Sequence, residues 1–348
     1  MRIALDVMGG DHAPDSVVAG AIDASEEGIL HPGQMILVGD KDAVRKCVED
    51  HGYEAKLVED LIRDLPAEED KIFPIFHASQ VIDMDDKPSM ALRQKRDSSM
   101  AVATALVKQG VADGVISAGN TGAMVASAMM QLKSLDGVRR PGIAVTIEGE
   151  DGPFTVIDVG ANIAPKPRHL FHYGIMGSTL SHEKYGKEEP RVGLLNIGDE
   201  EGKGNALAKE AQELFRGSGL NYRGNIEGQD VFLGVCDVIV TEGFVGNVLL
   251  KLSEGLATHL LHVVREELIR AGVRPQVLES SLRAIVRRTD FSEYGGALLL
   301  GVEGNVTICH GRSGRRAIMN AIRLTTDAVI LHINEKIVQE IRRCEAIA

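Results

Sequence analysis

A glycine-rich polar turn between a predicted strand and a predicted helix has the residue types that bind phosphate. Val115 and Ile116 indicate the end of a buried strand, and the alanine- and methionine-rich run from Ala123 favours a helix. Between them lie Ser117, Gly119, Asn120, Thr121 and Gly122. The first N–H groups of a helix lack partners within it and lie at the positive end of its dipole. The turn therefore predicts a phosphate site; the alternative is a plain connection in which Asn120 or Thr121 caps the helix.

Similar polar loops follow other short apolar runs. The residues at the ends of the predicted strands are Asp6, Ser117, Asp158, Asn196 and Thr241. In an open parallel sheet, the loops after the strands meet at the edge where ligands bind. We therefore expect these loops to converge on one cleft, although Gly, Asn and Asp are also ordinary turn residues.

The order of apolar runs and helical patterns predicts the fold class. Short Val, Ile and Leu runs alternate with helices, which indicates an α/β protein with a mainly parallel sheet covered on both faces. The runs 143–147 and 154–159 predict a hairpin of two strands. Pro14 suits the first position of a helix. The segment 77–97, which contains Pro88, is expected to be mostly loop.

Composition excludes several classes of protein. The net charge of −12 argues against a broad nucleic-acid-binding surface. Four scattered cysteines without a C-x-x-C pair argue against a disulfide framework or a zinc cluster and favour a reducing compartment. We expect neither a signal sequence nor a membrane span, because residues 1–6 lead directly into a strand pattern and no apolar run approaches about 18 residues.

Motifs along nearly the whole chain resemble the bacterial phosphate acyltransferase family of phospholipid synthesis. They occur in the family's order: Met1–Pro14, Ser117–Ala123, Asp158–Asn162, Asn196–Gly204, Gly243–Asn247, Gly295–Ala297 and His310–Gly311. Each motif is weak alone, but the ordered set is specific. Glu242 stands where an aspartate is more usual, and the stretch after Gly311 is unusually rich in arginine (Arg312, Arg315, Arg316).

The resemblance implies a fold, an activity and partners. The fold is a three-layer α/β/α sandwich similar to isocitrate dehydrogenase and phosphotransacetylase, here a single domain over residues 1–348 with a projecting helical hairpin over 247–288. The implied activity transfers a long-chain acyl group from acyl-acyl carrier protein to inorganic phosphate, giving acyl phosphate. The implied protein is a cytoplasmic homodimer, loosely associated with the membrane, that hands its product to a membrane glycerol-3-phosphate acyltransferase. We expect no cofactor, metal or nucleic acid.

This chemistry gives the loops specific tasks. Phosphate is already nucleophilic and a thiolate leaves readily, so positioning and oxyanion stabilisation are the main requirements. We hypothesise that the 120–122 backbone cradles phosphate with Lys203 as counter-charge, and that Asn162 and Asn247 donate to the oxyanion. His12 would polarise the thioester or protonate the thiolate. The alternatives are a solvated loop lysine and a capping or buried structural histidine.

The complete set of predicted binding residues covers five loops. It comprises Asp6, Gly9, Gly10, Ser117, Gly119, Asn120, Thr121, Gly122, Asp158, Gly160, Asn196, Gly198, Gly243 and Gly246. Cys236 and Cys309 are interpreted as small hydrophobic residues. Two other functions stay open: a coenzyme A-dependent phosphotransacetylase of short acyl groups, and a non-catalytic scaffold that binds acyl phosphate. A hydroxy-acid dehydrogenase is disfavoured because neither a nicotinamide site nor a Mg²⁺-binding carboxylate cluster is evident.

The predicted hairpin combines an apolar stripe with a reversal of charge. Leucine and valine residues from Leu249 to Leu268 follow helical spacing, and Gly272 and Pro275 break the chain. Between residues 265 and 288, six arginines face three glutamates, a local excess of +3. One interpretation is a dimer contact with a solvated charged face. The other, which is compatible with it, is contact with an anionic membrane surface or the acidic carrier protein.

Overall fold

The computed structural model describes residues 1–59, 65–289 and 295–347, without the side chains of 287–289. The chain divides into two compact units. Unit 1 comprises Met1–Ile143 and Tyr294–Ala346, and unit 2 is centred on Ala144–Glu293. The single domain expected over residues 1–348 stays a prediction.

Both units combine strands with helices. The first part of unit 1 contains β1 (Ile3–Asp6), α1 (Asp15–Glu26), β2 (Met35–Gly39), α2 (Lys41–Asp50), β3 (Glu54–Leu57), β4 (Ile72–His77), α3 (Pro88–Gln94), α4 (Ser99–Lys108), β5 (Gly114–Ser117) and α5 (Thr121–Gln131). Unit 2 follows with β6 (Gly142–Gly149), β7 (Gly152–Ile157), α6 (Pro167–Tyr185), β8 (Val192–Leu195), α7 (Ala206–Arg216), β9 (Tyr222–Ile226), β10 (Val238–Val240), α8 (Gly243–Arg270) and α9 (Pro275–Thr289). The chain returns to unit 1 with β11 (Ala297–Leu300), β12 (Asn305–Ile308), α10 (Arg315–Ile330) and α11 (Ile333–Ile347).

The sheet of unit 1 places the ends of β1, β5 and β12 side by side. Its strand order is β3-β4-β2-β1-β5-β12-β11, and only β11 is antiparallel to its neighbour among the pairings described. The register sets Asp6 beside Ser117 and Ser117 beside Ile308. Helices α1 and α10 pack together on β1 and its neighbours, and α4 and α5 pack together on the same strands. The polar residues at the strand ends therefore share one edge of this sheet.

In the sheet of unit 2, the ends of several parallel strands also lie side by side. Its strand order is β6-β7-β10-β8-β9, and β6 pairs with β7 as the predicted antiparallel hairpin. Val240 lies beside Ile157 on one side and Leu194 on the other, so β7, β10 and β8 end together. The loops that begin at Asp158, Asn196 and Thr241 consequently leave the same edge of this sheet.

The structure confirms the mainly parallel α/β class and corrects two local predictions. The expectation of loop over 77–97 is wrong for Pro88–Gln94, which forms α3 with Pro88 in its first turn and Ala91 and Leu92 buried. Proline at the start of a helix loses no hydrogen bond, because the first N–H groups have no partner within it. Pro14 is the N-cap of α1 and not its first helical residue.

Helices α8 and α9 form the predicted hairpin, with a turn at Gly272 where φ is +72°. Within α8, the buried residues are Gly243 and Gly246, at its first turn. Leu252, Leu256 and Leu260, spaced four residues apart, are 66%, 52% and 51% exposed. The side chains of Arg287 and Arg288, which contributed to the predicted charge excess, lie outside the described residues.

Candidate functional site

In unit 1, Asp6 and Ser117 form a buried hydrogen-bonded pair at the ends of β1 and β5. The Ser117 hydroxyl donates to Asp6 Oδ2 at 2.6 Å and accepts from the Gly119 N–H at 3.1 Å. The other carboxyl oxygen, Asp6 Oδ1, is buried without a hydrogen-bond partner in the described structure. Native proteins leave few buried polar atoms unsatisfied, so this oxygen is an unusual feature of the sheet edge.

Burial raises the pKa of the Asp6 carboxyl above its ordinary value of 3.8, against the lowering effect of the Ser117 hydrogen bond. Between the pKa of Asp6 in the unfolded chain and its higher pKa in the native protein, the native protein holds a proton that the unfolded chain has released. Stability from Asp6 is therefore fully present below about pH 4 and is lost as the pH rises through the native pKa, by about 1.4 kcal/mol per pH unit.

We expect the Asp6→Asn variant to remove this pH dependence. The difference in free energy of unfolding, variant minus wild type, should increase as the pH rises from about 4 and level off above the native pKa of Asp6. Urea unfolding over a pH series measures it. Any fixed cost of the new amide is the same at every pH, so a constant difference between the two proteins would contradict the prediction.

The predicted phosphate turn is partly a helix cap. The Asn120 side chain accepts from the Ala123 N–H at 3.0 Å, which confirms the capping alternative for this residue. Its Nδ2 donates to the carbonyl oxygens of Met84 and Asp86 at 2.9 and 3.1 Å, fixing the segment before α3. The N–H groups of Thr121 and Gly122 donate to no atom of the described chain, and both residues are exposed. Two amides of the predicted cradle are therefore free at the start of α5.

The loop after β1 packs against this turn. A β-carbon on Gly9 would stand 2.8 Å from the Gly119 backbone nitrogen, so only glycine fits there. Gly10 has a φ of +102°. The N–H of Asp11 donates to the Gly311 carbonyl at 2.7 Å. The loop after β12 therefore lies beside the loop after β1. His12 is exposed, which excludes the buried structural imidazole considered above.

In unit 2, the loop after β7 is organised by a buried carboxylate. Asp158 is fully buried and accepts from the N–H groups of Gly160, Ala161 and Asn162 at 3.0, 2.8 and 2.7 Å. These amides resemble an anion-binding turn, but the anion they bind is the chain's own side chain. Asp158 and Gly160 therefore stabilise the shape of the loop.

The two predicted oxyanion donors differ in their surroundings. Asn162 Nδ2 donates to the hydroxyl of the buried Tyr173 on α6 at 2.8 Å. Asn247 is exposed near the start of α8, and a β-carbon on Gly160 would lie 4.0 Å from its Cβ. Sequence reasoning missed Tyr173, because a tyrosine within a helix carries no signal that it holds a loop residue eleven positions earlier.

Gly243 and Gly246 are required by close packing at the start of α8. A β-carbon on Gly246 would stand 2.0 Å from the Asp158 carbonyl oxygen. The Gly243 N–H donates to the Asn162 carbonyl at 2.9 Å. Glu242 caps the helix by accepting from the N–H groups of Phe244 and Val245 at 2.8 and 3.0 Å, so glutamate serves where aspartate was expected.

The loop after β8 presents Lys203. The Asn196 side chain donates to the Lys203 carbonyl at 3.2 Å, and Gly204 adopts a left-handed φ of +94°. The Lys203 side chain is 51% exposed, with Nζ 3.6 Å from Glu200 Oε1. A β-carbon on Gly198 would stand 3.0 Å from Lys203 Cγ, so this glycine makes room for the lysine stem.

The described residues give little support for a thiol nucleophile or a metal site. All four cysteines are buried and free. Burial raises the pKa of the Cys236 thiol to about 11 and that of Cys309 to about 12, which opposes thiolate formation. Across the described ranges, no three His, Cys, Asp or Glu side chains come together as metal ligands do. None of the described helices has the length and apolar content that a membrane crossing requires.

Comparison with known proteins gives a consistent result. The family model described as "Fatty acid synthesis protein" matches residues 1–336. The "Phosphate acyltransferase" of Nitratidesulfovibrio vulgaris is 43% identical over 344 residues, covering 97% of this chain and 94% of the relative. The protein of the same name from Heliobacterium modesticaldum is 44% identical over 332 residues, covering 94% of each chain.

Solved structures share the fold at low identity. A phosphotransacetylase from Streptococcus pyogenes matches with a TM-score of 0.60 and 18% identity, covering 95% of this chain and 94% of its own. A 4-hydroxythreonine-4-phosphate dehydrogenase from Klebsiella pneumoniae matches with a TM-score of 0.56 and 14% identity, covering 96% and 99%. At these identities the likeness concerns the fold alone.

Proposed function

This chain belongs to the phosphate acyltransferase family, and on that premise we propose that it transfers a long-chain acyl group from acyl-acyl carrier protein to inorganic phosphate. The family is one of acyltransferases. The observation that carries the proposal is the pair of free N–H groups, from Thr121 and Gly122, at the exposed start of α5. Free amides at the positive end of a helix dipole suit a phosphate dianion.

The proposed reaction forms one bond and breaks one. A phosphate oxygen attacks the thioester carbonyl, the carbon–sulfur bond of the tetrahedral intermediate breaks, and the carrier thiol leaves as thiolate. Asn247, exposed near Gly160, is the proposed oxyanion donor, and Asn162 holds the loop through Tyr173. The exposed His12 is the proposed source of the proton for the thiolate. Lys203 is the proposed counter-charge for phosphate.

Release of free carrier-protein thiol from palmitoyl-acyl carrier protein, with and without phosphate, tests the proposed function. We expect phosphate-dependent release with one acyl phosphate formed per thiol. The second candidate is a coenzyme A-dependent phosphotransacetylase of short acyl groups; the Streptococcus pyogenes protein that shares the fold is named a phosphotransacetylase. Faster turnover of acetyl-coenzyme A than of the palmitoyl carrier protein would replace the first proposal with the second. Thioester loss that ignores phosphate would leave a binding scaffold.

We propose that Arg312 contributes to docking of the acidic carrier protein. Its side chain is exposed and forms no ion pair within the described residues, whereas the nearby Arg315 is paired with Asp23. Its backbone N–H donates to His310 Nδ1 at 3.2 Å, which fixes the loop beside Gly311 and Asp11. A cation on an ordered loop is suited to an acidic partner, because a chain of net charge −12 otherwise repels one.

We propose that α8 joins two copies in a homodimer. The stripe of Leu252, Leu256 and Leu260 is exposed along about two turns of α8, and exposed apolar stripes of this kind mark association surfaces. Sedimentation equilibrium should give twice the chain mass of 37.4 kDa. A monomer at micromolar concentration would contradict the homodimer.

We further propose that the hairpin tip contacts the anionic surface of the membrane, from the cytoplasmic side, where a glycerol-3-phosphate acyltransferase would accept the product. Arg265 and Arg274 are exposed and unpaired in the described part of the hairpin, while Arg270 is paired with Glu267. Sedimentation with anionic vesicles should show binding that weakens as salt is raised. Binding that is absent or indifferent to salt would end this proposal.

A further inference from the structure

An open groove of about 390 Å³ lies on unit 1 between α3, α4 and α5. This volume falls within the range of small-molecule sites, about 300–1,000 Å³. Most of its lining is apolar: Phe76, Leu92, Val102, Ala105, Leu106 and Met130. Met130 is 62% exposed although it is a large apolar residue, and such unbranched side chains adapt to varied ligands.

We propose that this groove binds the hydrocarbon chain of the acyl donor, an inference that rests on the proposed function. The groove begins close to the phosphate turn. A β-carbon on Gly122 would stand 2.8 Å from Pro88 Cγ, so α3 starts in contact with the turn. Leu92, four residues further along α3, lines the groove. A distance of about 6 Å along α3 therefore separates the phosphate turn at 120–122 from the groove wall.

The length of α5 fits an acyl chain. Its 11 residues span about 16 Å at about 1.5 Å per residue. An acyl chain in one leaflet of a bilayer extends about 15 Å, half of the hydrocarbon core. Met130 and Gln131 lie at the far end of α5 from the turn and line the groove. A chain with its thioester carbon at Thr121 would thus end near Met130.

This placement has a consequence for selectivity between donors. Each methylene that the groove shields from water strengthens binding about fourfold. The polar residues Arg96, Gln109 and Gln131 also line the groove. An acyl chain that extends past these polar groups would cover them without bonding to them, so a chain that ends near them is favoured. Long chains should therefore gain from the groove, whereas two- or four-carbon chains should not reach it.

The test fills the groove with a large side chain at Ala105, which is half-buried on α4. We expect Ala105→Trp to lower kcat/KM for palmitoyl-acyl carrier protein at least tenfold, the effect of excluding about two methylenes. Turnover of butyryl-acyl carrier protein should change less than about twofold. The matched control is Ala43→Trp, at a half-buried helical alanine of unit 1 that does not line the groove. It should leave both donors unaffected.

Each result decides between defined outcomes. A folded Ala105→Trp variant whose preference among acyl chain lengths is unchanged overturns the assignment. If Ala105→Trp fails to fold, Met130→Ser at its exposed position replaces it, with a loss of about fourfold or more expected for the palmitoyl donor alone. If the wild type makes no acyl phosphate, the proposed function fails. Palmitate binding then tests the groove: loss in Ala105→Trp but not Ala43→Trp supports it, and equal binding by both overturns it.

Discussion

The Gly246→Ala variant is expected to lose most of its acyl transfer and to unfold at a much lower urea concentration than the wild type. The new β-carbon would stand 2.0 Å from the Asp158 carbonyl oxygen and 2.9 Å from Thr241 Cγ2. A backbone carbonyl cannot rotate away as the tip of a side chain can, so α8 and the loop must separate. We expect a cost of about 3 kcal/mol or more, at the upper end for overpacking. The separation would also displace Asn162 and Asn247.

Gly255 provides the matched control within the same helix. No heavy atom lies within 4 Å of a β-carbon built there. Gly255→Ala should therefore stabilise the protein by about 1 kcal/mol, the helix-propensity difference between the two residues. Urea midpoints and initial rates of acyl phosphate formation measure both variants. Equal stability of the two variants would show that the start of α8 can move away from Asp158 at little cost.

Periodicity and turn chemistry were sufficient to predict most of the fold. Short apolar runs marked the strands from β1 to β10, and the hairpin of β6 and β7 was evident from its glycine-flanked turn. The elements β11, β12, α10 and α11 were not predicted. The one segment predicted wrongly, α3, has only seven residues and begins at a proline inside a polar segment. Its helical state depends on burying Ala91 and Leu92, which is a tertiary effect that local pattern does not encode.

The candidate site was predictable in its residue types but not in their division of labour. Polar residues at strand ends identified the loops, because parallel strands bring their ends together. Which amides are free depends on how each turn folds around its own side chains. The N–H groups at 160–162 bind Asp158, whereas those of Thr121 and Gly122 stay free. Composition alone cannot separate an occupied turn from an open one.

Replacing Lys203 with alanine is expected to lower kcat at saturating phosphate about 100-fold, the scale of removing one preorganised charge. Two hydrogen bonds hold the backbone that carries this charge: the Asn196 side chain donates to the Lys203 carbonyl, and the Lys203 N–H donates to the Glu200 carbonyl at 3.0 Å. Stability should change by less than about 0.5 kcal/mol, because exposed ion pairs contribute little. Lys209→Ala, an exposed lysine on the neighbouring α7, is the control and should retain full activity. Near-normal turnover of Lys203→Ala would remove Lys203 from the mechanism.

The ion pair with Glu200 offers a sharper measurement of the same role. In the proposed role of Lys203, Glu200 would compete with phosphate for the lysine charge. Glu200→Gln should therefore lower the KM for phosphate by up to about fivefold, equivalent to about 1 kcal/mol. If the carboxylate acts only through Lys203, the same substitution in the Lys203→Ala background should leave the KM unchanged, which is the signature of coupled residues in a double-mutant cycle. An equal effect of Glu200→Gln in both backgrounds would mean that Glu200 repels phosphate directly. The ion pair between Glu200 and Lys203 would then have no part in phosphate binding.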